Sequence, residues 1–449
     1  MNRRAFLKSG LRGAAALGMG LGAPAVFAAG RVLGANDRVR VAVIGVGGRG
    51  RNHFDLFRDW SKKPEKKLEL IAACDVWDVR AQHAAATAGP QVKTYRDYRE
   101  LLGRTDLDGV SIATPDHWHA KISIDAMKAG KDVYCEKPMT LHWPEAKEVA
   151  RVARETSCVF QCGAGSASGG KWWKAQEIVK QGGVGPLVWS QTGVFRNDPA
   201  GDWNWALQFA GKKPQPGKDL DWERWLGCEF GLAPKIPYDE ERYFRFRKYW
   251  DYSGGLATDL LYHAYSHHLV AIGPAFPSRV MASGGQPIHN LANDRREVPT
   301  LFNVLIDFPA QHTALLSSTQ ESTDGLPDLV RGQFASISFE KEKNSLTVQP
   351  QKPFREKLLE LAGKLECYQG AQVIKDYSGK LSEIRVKGLP DQDHFGVWLD
   401  GIRSRKQPTL NADLAYRVMV PIGLSIDSYR QARVMLFDPD KEEVVAAGA

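Results

Sequence analysis

Residues 38–50 read Arg38-Val39-Arg40-Val41-Ala42-Val43-Ile44-Gly45-Val46-Gly47-Gly48-Arg49-Gly50, and this stretch decides the fold of the chain. A run rich in β-branched residues ends in the pattern Gly-x-Gly-x-x-Gly, which predicts a strand, a tight turn and the start of a helix. Free backbone N–H groups and a helix N-terminus then face an anion such as a pyrophosphate. We therefore predict a nucleotide-binding turn made by Gly45, Val46, Gly47, Gly48, Arg49 and Gly50.

An acidic residue follows the next predicted strand, because Asp75 comes directly after the apolar run Leu70–Cys74. A carboxylate at this position accepts hydrogen bonds from an adenosine ribose, and its charge repels a 2′-phosphate. The pattern therefore favours NAD over NADP as the cofactor, although Arg80 could weaken that preference. A strand-end acid that caps a turn is the structural alternative.

The length of 449 residues is typical of two or three domains, and the formal net charge is +8. Half of that excess lies in the first 29 residues, which contain Arg3, Arg4, Lys8 and Arg12 and no acid. The rest of the chain shows no basic stripe with interleaved aromatic residues. We therefore expect no nucleic-acid partner.

Residues 1–29 have the pattern of a twin-arginine export signal, in which Arg3 and Arg4 precede the apolar run Gly13–Phe27. The run is short and rich in glycine, so we expect no stable membrane span. A basic start before a hydrophobic helix is the alternative. Twin-arginine signals carry folded proteins, and free nicotinamide nucleotides are scarce outside the cytoplasm. We therefore expect a periplasmic or otherwise exported protein with a tightly bound cofactor.

Strand and helix patterns alternate up to about residue 162, which predicts a parallel, doubly wound sheet. We assign residues 36–162 to an α/β Rossmann domain and residues 163–449 to a second, α+β domain with an open, mostly antiparallel sheet. Residues 351–390 are charged and are expected to be irregular. A helix is predicted over 414–430, with Pro421 kinking or interrupting it, and this terminal helix is expected to pack back on the first domain.

Two short motifs follow the later strands of the first domain. Thr114-Pro115-Asp116, with His119 three residues on, comes after the strand predicted at 109–113. Glu136-Lys137-Pro138 comes after the strand predicted at 132–135. Carboxyl ends of parallel strands face the ligand crevice, so both motifs are predicted to contact the cofactor. Lys137 would lie near the nicotinamide, where a lysine can exchange a proton with a substrate hydroxyl.

A third motif lies in the second domain, where Asp259, His263 and His267 recur at intervals of four. On an α-helix these residues share one face, which predicts a helix that faces a cavity. The alternative is that these residues lie on a helix face exposed to solvent. Metal binding is another, but we rank it lower because hydride chemistry with a lysine needs no metal. None of the six cysteines has CxxC or paired Cys/His spacing, so no zinc site is expected.

In these motifs, taken together and in this order, the chain resembles the glucose–fructose oxidoreductase, inositol dehydrogenase and rhizopine-catabolism (Gfo/Idh/MocA) superfamily. The resemblance implies a second domain that contacts substrate and forms homo-oligomers. It implies that Lys137 is the acid/base group, with Asp259 and His263 orienting it or relaying its proton, and that Lys137, His263 and His267 contact the substrate. The loop at residues 161–170 departs from many relatives, which have a charged residue there.

Three functional hypotheses follow. The leading one is an NAD(P)-dependent oxidoreductase that acts on a hydroxyl or ketone of a sugar, glycoside or cyclitol. The alternative is a glycosidase that recycles a tightly bound NAD, because transient oxidation of a ring hydroxyl acidifies the neighbouring C–H and permits elimination of the aglycone. The third is a sugar-binding or assembly protein with a vestigial cofactor site.

Overall fold

The computed structural model describes residues 38–287, 294–340 and 343–445, and these residues form two sheets. The strands of the first sheet are β1 (Val39–Ile44), β2 (Leu68–Cys74), β3 (Lys93–Tyr95), β4 (Gly109–Ile112), β5 (Asp132–Cys135) and β6 (Phe160–Cys162). All of its pairs are parallel, in the order β3-β2-β1-β4-β5-β6. The doubly wound sheet predicted from the alternating pattern is confirmed.

Five helices accompany this sheet: α1 (Gly48–Ser61), α2 (Asp78–Ala88), α3 (Tyr98–Leu102), α4 (His119–Lys128) and α5 (Trp143–Thr156). The central strands read as continuous apolar runs because they are covered on both faces. All four residues of β4 and of β5 are buried, for example. The carboxyl ends of β1, β4 and β5 therefore form one edge at which polar residues begin.

The second sheet has eleven strands: β7 (Leu187–Phe195), β8 (Arg279–Gly285), β9 (Leu301–Asp307), β10 (Thr313–Thr319), β11 (Leu329–Gly332), β12 (Ala335–Phe339), β13 (Ser345–Pro350), β14 (Gln372–Lys375), β15 (Leu381–Lys387), β16 (Met435–Asp438) and β17 (Glu443–Val445). Its order is β14-β15-β13-β12-β11-β7-β10-β9-β8-β16-β17. Its pairs are antiparallel apart from β7 with β10. The expected open, mostly antiparallel sheet is confirmed.

The remaining helices are α6 (Gly170–Lys180), α7 (Trp222–Leu226), α8 (Glu240–Phe244), α9 (Tyr262–Ile272), α10 (Arg355–Lys364), α11 (His394–Ser404) and α12 (Ala412–Gln431). Helix α9 packs against β7 and α6, and α12 packs against β8 and α5. Burial alternates along β10, so one face of the sheet lies under helices and the other is open. The late helices also reach the first domain, where Trp398 of α11 is buried among residues of β1. None of the described helices combines the length and the hydropathy that a bilayer crossing requires.

A long excursion between β7 and residue 254 connects the two domains, and we call residues 196–253 the bridging segment. It reaches the loop after β2, where Asp78 N–H donates to Asp219 O (2.9 Å) and Asp221 N–H donates to Val76 O (3.0 Å). Trp77 of the first domain is fully buried in the aromatic cluster of this segment, beside Leu220. The second domain therefore covers the end of the first sheet at β2.

Two expectations about the second domain were wrong. Residues 351–390 are not irregular, because they contain α10, β14 and β15, whose alternating Leu381, Ile384 and Val386 are buried under charged neighbours. Of the two effects predicted for Pro421, interruption is wrong, because α12 continues as one helix from Ala412 to Gln431, while a kink stays a prediction. Proline removes one backbone N–H, but the surrounding turns are fully buried and packing holds the helix together.

Candidate active site

The glycine turn after β1 has a backbone that only glycine fits. Gly45 has φ +81°, and a Cβ there would lie 2.8 Å from Ala113 O. A Cβ on Gly50 would lie 1.7 Å from Gly45 O, so α1 packs directly on the turn. Gly47 precedes α1 and supplies no side-chain cap, which leaves the first-turn N–H groups free for an anion. The turn therefore fits a pyrophosphate.

Asp75 lies at the end of β2, beside this turn. Its Oδ2 accepts from Val46 N–H (3.0 Å) and its Oδ1 accepts from Trp77 N–H (3.0 Å). Burial raises the pKa of this carboxyl, against the lowering effect of the Arg80 charge and of the two backbone bonds. The Arg80 guanidinium lies near aromatic rings, the nearest being Tyr243 of the bridging segment at 5.1 Å. Asp75 thus lies where an adenosine ribose would reach it.

The β4 motif lines the same cavity with Thr114, Pro115, Asp116 and His119. Among the described residues, Thr114 Oγ1 is buried and has no hydrogen-bond partner. Both ring nitrogens of His119 lie near carbonyl oxygens, Nδ1 2.7 Å from Pro138 O and Nε2 2.9 Å from Thr114 O. His119 therefore ties the ends of β4 and β5 together, and its predicted contact with the cofactor stays a prediction.

Glu136, at the end of β5, joins the glycine turn to this edge. Its Oε1 accepts from Arg49 Nε (2.7 Å) and lies 2.8 Å from His53 Nε2. Burial alone would raise its pKa, but the hydrogen bonds and charges of His53 and Arg49 lower the pKa well below its ordinary value. Glu136 is therefore ionised. His53, on α1, carried no motif in the sequence, and only the fold brings it to Glu136.

Lys137 and Asp259 meet at the centre of the cavity. Lys137 Nζ donates to Asp259 Oδ1 (2.5 Å) and to Asp259 O (2.7 Å). Asp259 Oδ1 also accepts from Arg247 Nε (2.9 Å), and Oδ2 accepts from Trp203 Nε1 (3.0 Å). Burial opposes ionisation of Asp259, but Lys137 and Arg247 lower its pKa far below the ordinary value. No sequence motif marks Arg247 or Trp203, which lie in the bridging segment.

His263 follows on the same chain segment and also lines the cavity. Burial lowers its pKa to about 3, with the nearby Lys137 charge acting in the same direction, so its imidazole is neutral at pH 7. Ser166, in the unusual 161–170 loop, donates from Oγ to the His263 carbonyl at 3.1 Å. The fold thus places His263 beside Lys137 and Asp259.

The structure corrects the prediction of one α-helical face for Asp259, His263 and His267. Residues Ala257–Leu261 form a π-helical turn before α9, so the four-residue spacing does not run through one α-helix. His267 does not line the cavity; it stacks on Trp172 (ring centroids 4.1 Å apart). Its role as a substrate contact therefore gains no support from this cavity and stays a prediction. Within the described ranges, no group of three His, Cys, Asp or Glu residues is arranged to hold a metal ion.

The cavity that these residues line has a volume of about 760 Å³ and extends from Asp75 to His263. Its walls come from the carboxyl edge of the first sheet and from the bridging segment, including Trp205, Phe209 and Arg224. Pockets of about 300–1,000 Å³ are usual for cofactors and drug-sized ligands. The glycine turn, the helix N-terminus and Asp75 fit a dinucleotide along this edge, and the position of its nicotinamide end near Lys137 stays a prediction.

Curated glycosidase relatives are similar to part of this chain in sequence. A glycosyl hydrolase family 109 protein of Shewanella sp. (strain W3-18-1) is 38% identical over 128 residues, or 27% of each chain. The alpha-N-acetylgalactosaminidase of Shewanella oneidensis is 37% identical over 126 residues, or 26% of each chain. The matched region thus spans about a quarter of the length of these relatives.

Solved structures share the fold across both domains. Levoglucosan dehydrogenase in complex with NADH and levoglucosan has a TM-score of 0.62 at 16% identity, covering 89% of this chain and 99% of that one. An NAD-binding protein from Listeria innocua has a TM-score of 0.59 at 18% identity, with the same coverage. At sequence identities this low, the similarity is evidence for a shared fold and not for a shared activity.

Family models match both domains of the chain. The NAD-binding Rossmann fold of the oxidoreductase family matches residues 39–164, and the C-terminal alpha/beta domain of the same family matches residues 174–272. Together these matches cover half of the sequence. They agree with the parallel sheet, the glycine turn and the mixed second domain described above. The chain therefore belongs to the Gfo/Idh/MocA oxidoreductase family.

Proposed function

We propose that this protein is an NAD-dependent oxidoreductase that acts on a hydroxyl or ketone of a sugar, glycoside or cyclitol. One observation carries the proposal: Lys137 Nζ lies in the cavity with two of its three donor positions held by Asp259. The third position is left for a substrate oxygen. The Rossmann edge that would hold the nicotinamide ends at the same lysine.

The chain's own residues supply proton transfer and orientation. When bound, oxidised nicotinamide would accept a hydride from the carbon that carries the hydroxyl. Lys137 would take the hydroxyl proton, or donate it back to a ketone oxygen in the reverse direction. Asp259 fixes Nζ through two atoms, while Trp203 and Arg247 fix Asp259. Neutral His263 lies beside them as a hydrogen-bonding group for a second hydroxyl.

A carbohydrate substrate is supported by Trp205, whose side chain lines the cavity and is 49% exposed. An exposed indole presents an apolar face to the C–H groups of a sugar ring. Trp203, Trp222 and Trp225 are buried, and Trp203 also holds Asp259, so Trp205 is the exposed tryptophan of this segment that lines the cavity. The solved relative named levoglucosan dehydrogenase is consistent with this class of substrate.

The proposal is tested by loading the protein with NAD and screening free sugars, glycosides and cyclitols for absorbance of the reduced cofactor. The reverse direction is screened with NADH and the corresponding ketones. Turnover that requires Lys137 supports the proposal. The absence of turnover in both directions across the three classes would overturn it.

NAD is the cofactor that we propose, and we propose that it is held tightly. Asp75 supplies the acidic group that disfavours a 2′-phosphate. The bridging segment packs on Val76–Asp78, and its Phe209 and Tyr243 line the cavity together with Asp75. We propose that this contact slows the release of a bound dinucleotide. Native mass spectrometry of the purified protein would show whether NAD stays bound.

A glycosidase that recycles its NAD is the second candidate, and the curated glycosyl hydrolase relatives favour it. The same Lys137 and His263 would move protons at neighbouring carbons of one sugar ring. Product analysis separates the two candidates. Release of the aglycone without accumulation of NADH supports the glycosidase, and accumulation of a ketone product supports the dehydrogenase.

The open face of the second sheet supports a homo-oligomer as part of the proposal. Val188, Trp189 and Leu305 are 51%, 39% and 40% exposed on β7 and β9. Contiguous exposed apolar side chains are typical of protein interfaces. Size measurement by light scattering tests this point, and Trp189→Glu is expected to shift an oligomer towards the monomer.

Export by the twin-arginine route also remains a proposal, supported by Arg3, Arg4 and the apolar run after them. These residues lie outside the described ranges. Cell fractionation of the native protein and of a variant with Arg3→Lys and Arg4→Lys tests it. Retention of the variant in the cytoplasm supports export, and unchanged distribution contradicts it.

A further inference from the structure

Two guanidinium groups in the cavity have donors that the described residues do not use. Arg247 donates from Nε to Asp259 Oδ1, but neither Nη group donates a hydrogen bond within the described ranges. The Arg196 side chain donates none there either. The backbone of Arg196 is nevertheless fixed, because its N–H donates to Thr319 O (3.0 Å) and its carbonyl accepts from Ser322 N–H (3.1 Å). Both side chains line the cavity.

Arg247 lies at the reacting end of the cavity. Its Nε and Lys137 Nζ donate to the same atom, Asp259 Oδ1 (2.9 and 2.5 Å). Its guanidinium lies 5.3 Å from the ring centre of Trp205, the exposed indole. A sugar ring that stacks on Trp205 and presents one hydroxyl to Lys137 would therefore hold another substituent beside Arg247.

Asp259 pairs with both Lys137 and Arg247, and the charges of Asp116 and Glu136 also attract Arg247. Asp202 lies near Arg196, and its buried Oδ2 has no hydrogen-bond partner among the described residues. Asp116 accepts from Thr258 Oγ1 (3.2 Å), and Glu136 pairs with Arg49 and His53. The imidazole of His263 adds no positive charge, because it is neutral at pH 7. The feature that these acids leave unused is the pair of Arg247 Nη groups, which donate to no described residue and line the cavity.

We propose, on the basis of the oxidoreductase function above, that the substrate is a saccharide with an oxyanion, a carboxylate or a sulfate ester, which Arg247 and Arg196 bind. Guanidinium is suited to this task because its planar pair of N–H donors matches two oxygens at once. The Arg247 side chain is mostly buried, and its Nη donors have no acceptor among the described residues, so a ligand with two acceptor oxygens would satisfy them. Arg196 is exposed to solvent and would add a second positive charge at the mouth of the cavity.

The test compares matched sugars on the NAD-loaded protein. Methyl glucoside and methyl galactoside are each compared with the corresponding uronic acid and with the corresponding 6-sulfate. We expect kcat/KM to be at least tenfold higher for an acidic member than for its neutral partner. Comparison of the uronic acids with the 6-sulfates shows whether the site prefers a carboxylate or a sulfate ester. Equal or better turnover of the neutral sugars in every set would overturn the inference and leave the oxidoreductase function standing.

Variants locate the effect. Arg247→Gln is expected to lower the acid-to-neutral ratio of kcat/KM about tenfold, and Arg196→Gln to lower it at least threefold. The acid-to-neutral ratio of kcat/KM reports anion binding. Any effect of Arg247 on Asp259 changes kcat/KM equally for the acidic and the neutral sugar and cancels in the ratio. Arg433→Gln, an exposed arginine outside the cavity, should leave the ratio unchanged. An unchanged ratio in both cavity variants contradicts the inference.

Calorimetry on the same sugar sets supplies a measurement that does not depend on catalysis. If no sugar is turned over, the proposed oxidoreductase function fails. Tighter binding of the acidic member, lost in Arg247→Gln, would still support the oxyanion site. Equal dissociation constants for acidic and neutral members would overturn it.

Discussion

Lys137 and Asp259 are 122 residues apart in the chain, and Lys137 Nζ lies 2.5 Å from Asp259 Oδ1. The pair joins the end of β5 in the first domain to the π-helical turn before α9 in the second. Because each domain supplies one partner, the reacting end of the cavity exists only when the domains are packed together. Proton transfer and domain packing are therefore linked in this protein.

Replacement of Lys137 by methionine should abolish proton transfer while leaving the glycine turn intact. We expect kcat/KM to fall by roughly 10²–10⁴, the usual contribution of a general acid or base, with NAD affinity retained. Steady-state kinetics and NAD titration measure the two effects. Lys357→Met, an exposed lysine on α10, is the matched control. Full turnover in Lys137→Met would rule out this role, and intact ligand binding without any turnover in the native protein would favour a non-enzymatic function.

Trp203→Phe tests whether the indole N–H positions Asp259. The substitution keeps an aromatic ring but removes the bond to Asp259 Oδ2 (3.0 Å). Hydrogen bonds to charged groups are worth about 1.5–3 kcal/mol, so we expect kcat to fall about tenfold or more. The acidic limb of the kcat–pH profile should also move, which a purely structural role would not produce. Trp222→Phe, which removes a buried indole bond to Ile236 O, is the control.

Asp75→Asn should relax the choice between NAD and NADP. The change removes the negative charge that we predict to face the 2′ position. It keeps an oxygen for Val46 N–H, but the amide NH2 takes the place of the oxygen that accepts from Trp77 N–H. We expect the ratio of the NADP and NAD dissociation constants to fall about tenfold or more, because like charges in contact are strongly unfavourable. Fluorescence titration of both nucleotides measures it, with Asp400→Asn on exposed α11 as the control. An unchanged ratio of the two dissociation constants would show that Asp75 does not discriminate between a ribose 2′-hydroxyl and a 2′-phosphate.

Leu220→Ala should speed the release of NAD. Leu220 is buried against Trp77 at the contact between the bridging segment and the first domain. Truncation of a buried leucine typically costs about 2–5 kcal/mol, and here it weakens the contact that closes the cavity. We expect the NAD dissociation rate to rise at least tenfold, measured by stopped-flow displacement. Leu358→Ala removes an equally buried leucine from α10 and should lower stability without faster release.

The protein should lose stability as the pH falls from about 6.5 towards 4. Burial lowers the pKa of His117 and of His268 to about 3. Their folded pKa lies below the unfolded value, so the unfolded chain binds more protons in this window. The stabilisation is complete above about pH 6.5, and each histidine loses about 1.4 kcal/mol per pH unit below it.

Urea unfolding at pH 7.5, 6.0 and 5.0 measures this loss. His268→Gln keeps a partner for Ser190 Oγ, to which His268 Nε2 is bonded at 2.8 Å, and removes one titrating group. The pH dependence should therefore become shallower in this variant. His83→Gln, at an exposed position on α2, should leave it unchanged. A free energy of unfolding that is independent of pH over this range would contradict the prediction.

Local patterns were sufficient for most of the first domain. The run Val39–Ile44 and the following glycines predicted β1, the turn and α1, because strand burial and glycine conformations are properties of neighbouring residues. Asp75, Thr114 and Lys137 were found by the same reasoning, since strand ends of a parallel sheet share one edge. Charged residues concealed α10, β14 and β15. The edge strand β14 has few apolar positions, and only three residues of β15 are buried, so neither strand forms a continuous apolar run.

The sequence by itself determined the Rossmann fold, the antiparallel second sheet and the residues at the strand ends, since each depends on short-range periodicity and turn chemistry. Tertiary structure alone decided that Arg247 and Trp203 hold Asp259, that His53 pairs with Glu136, and that His267 turns away from the cavity. These relationships join residues that are distant in the chain or follow a π-helical turn, and no local pattern records them. Packing of the two domains brings them within hydrogen-bond distance.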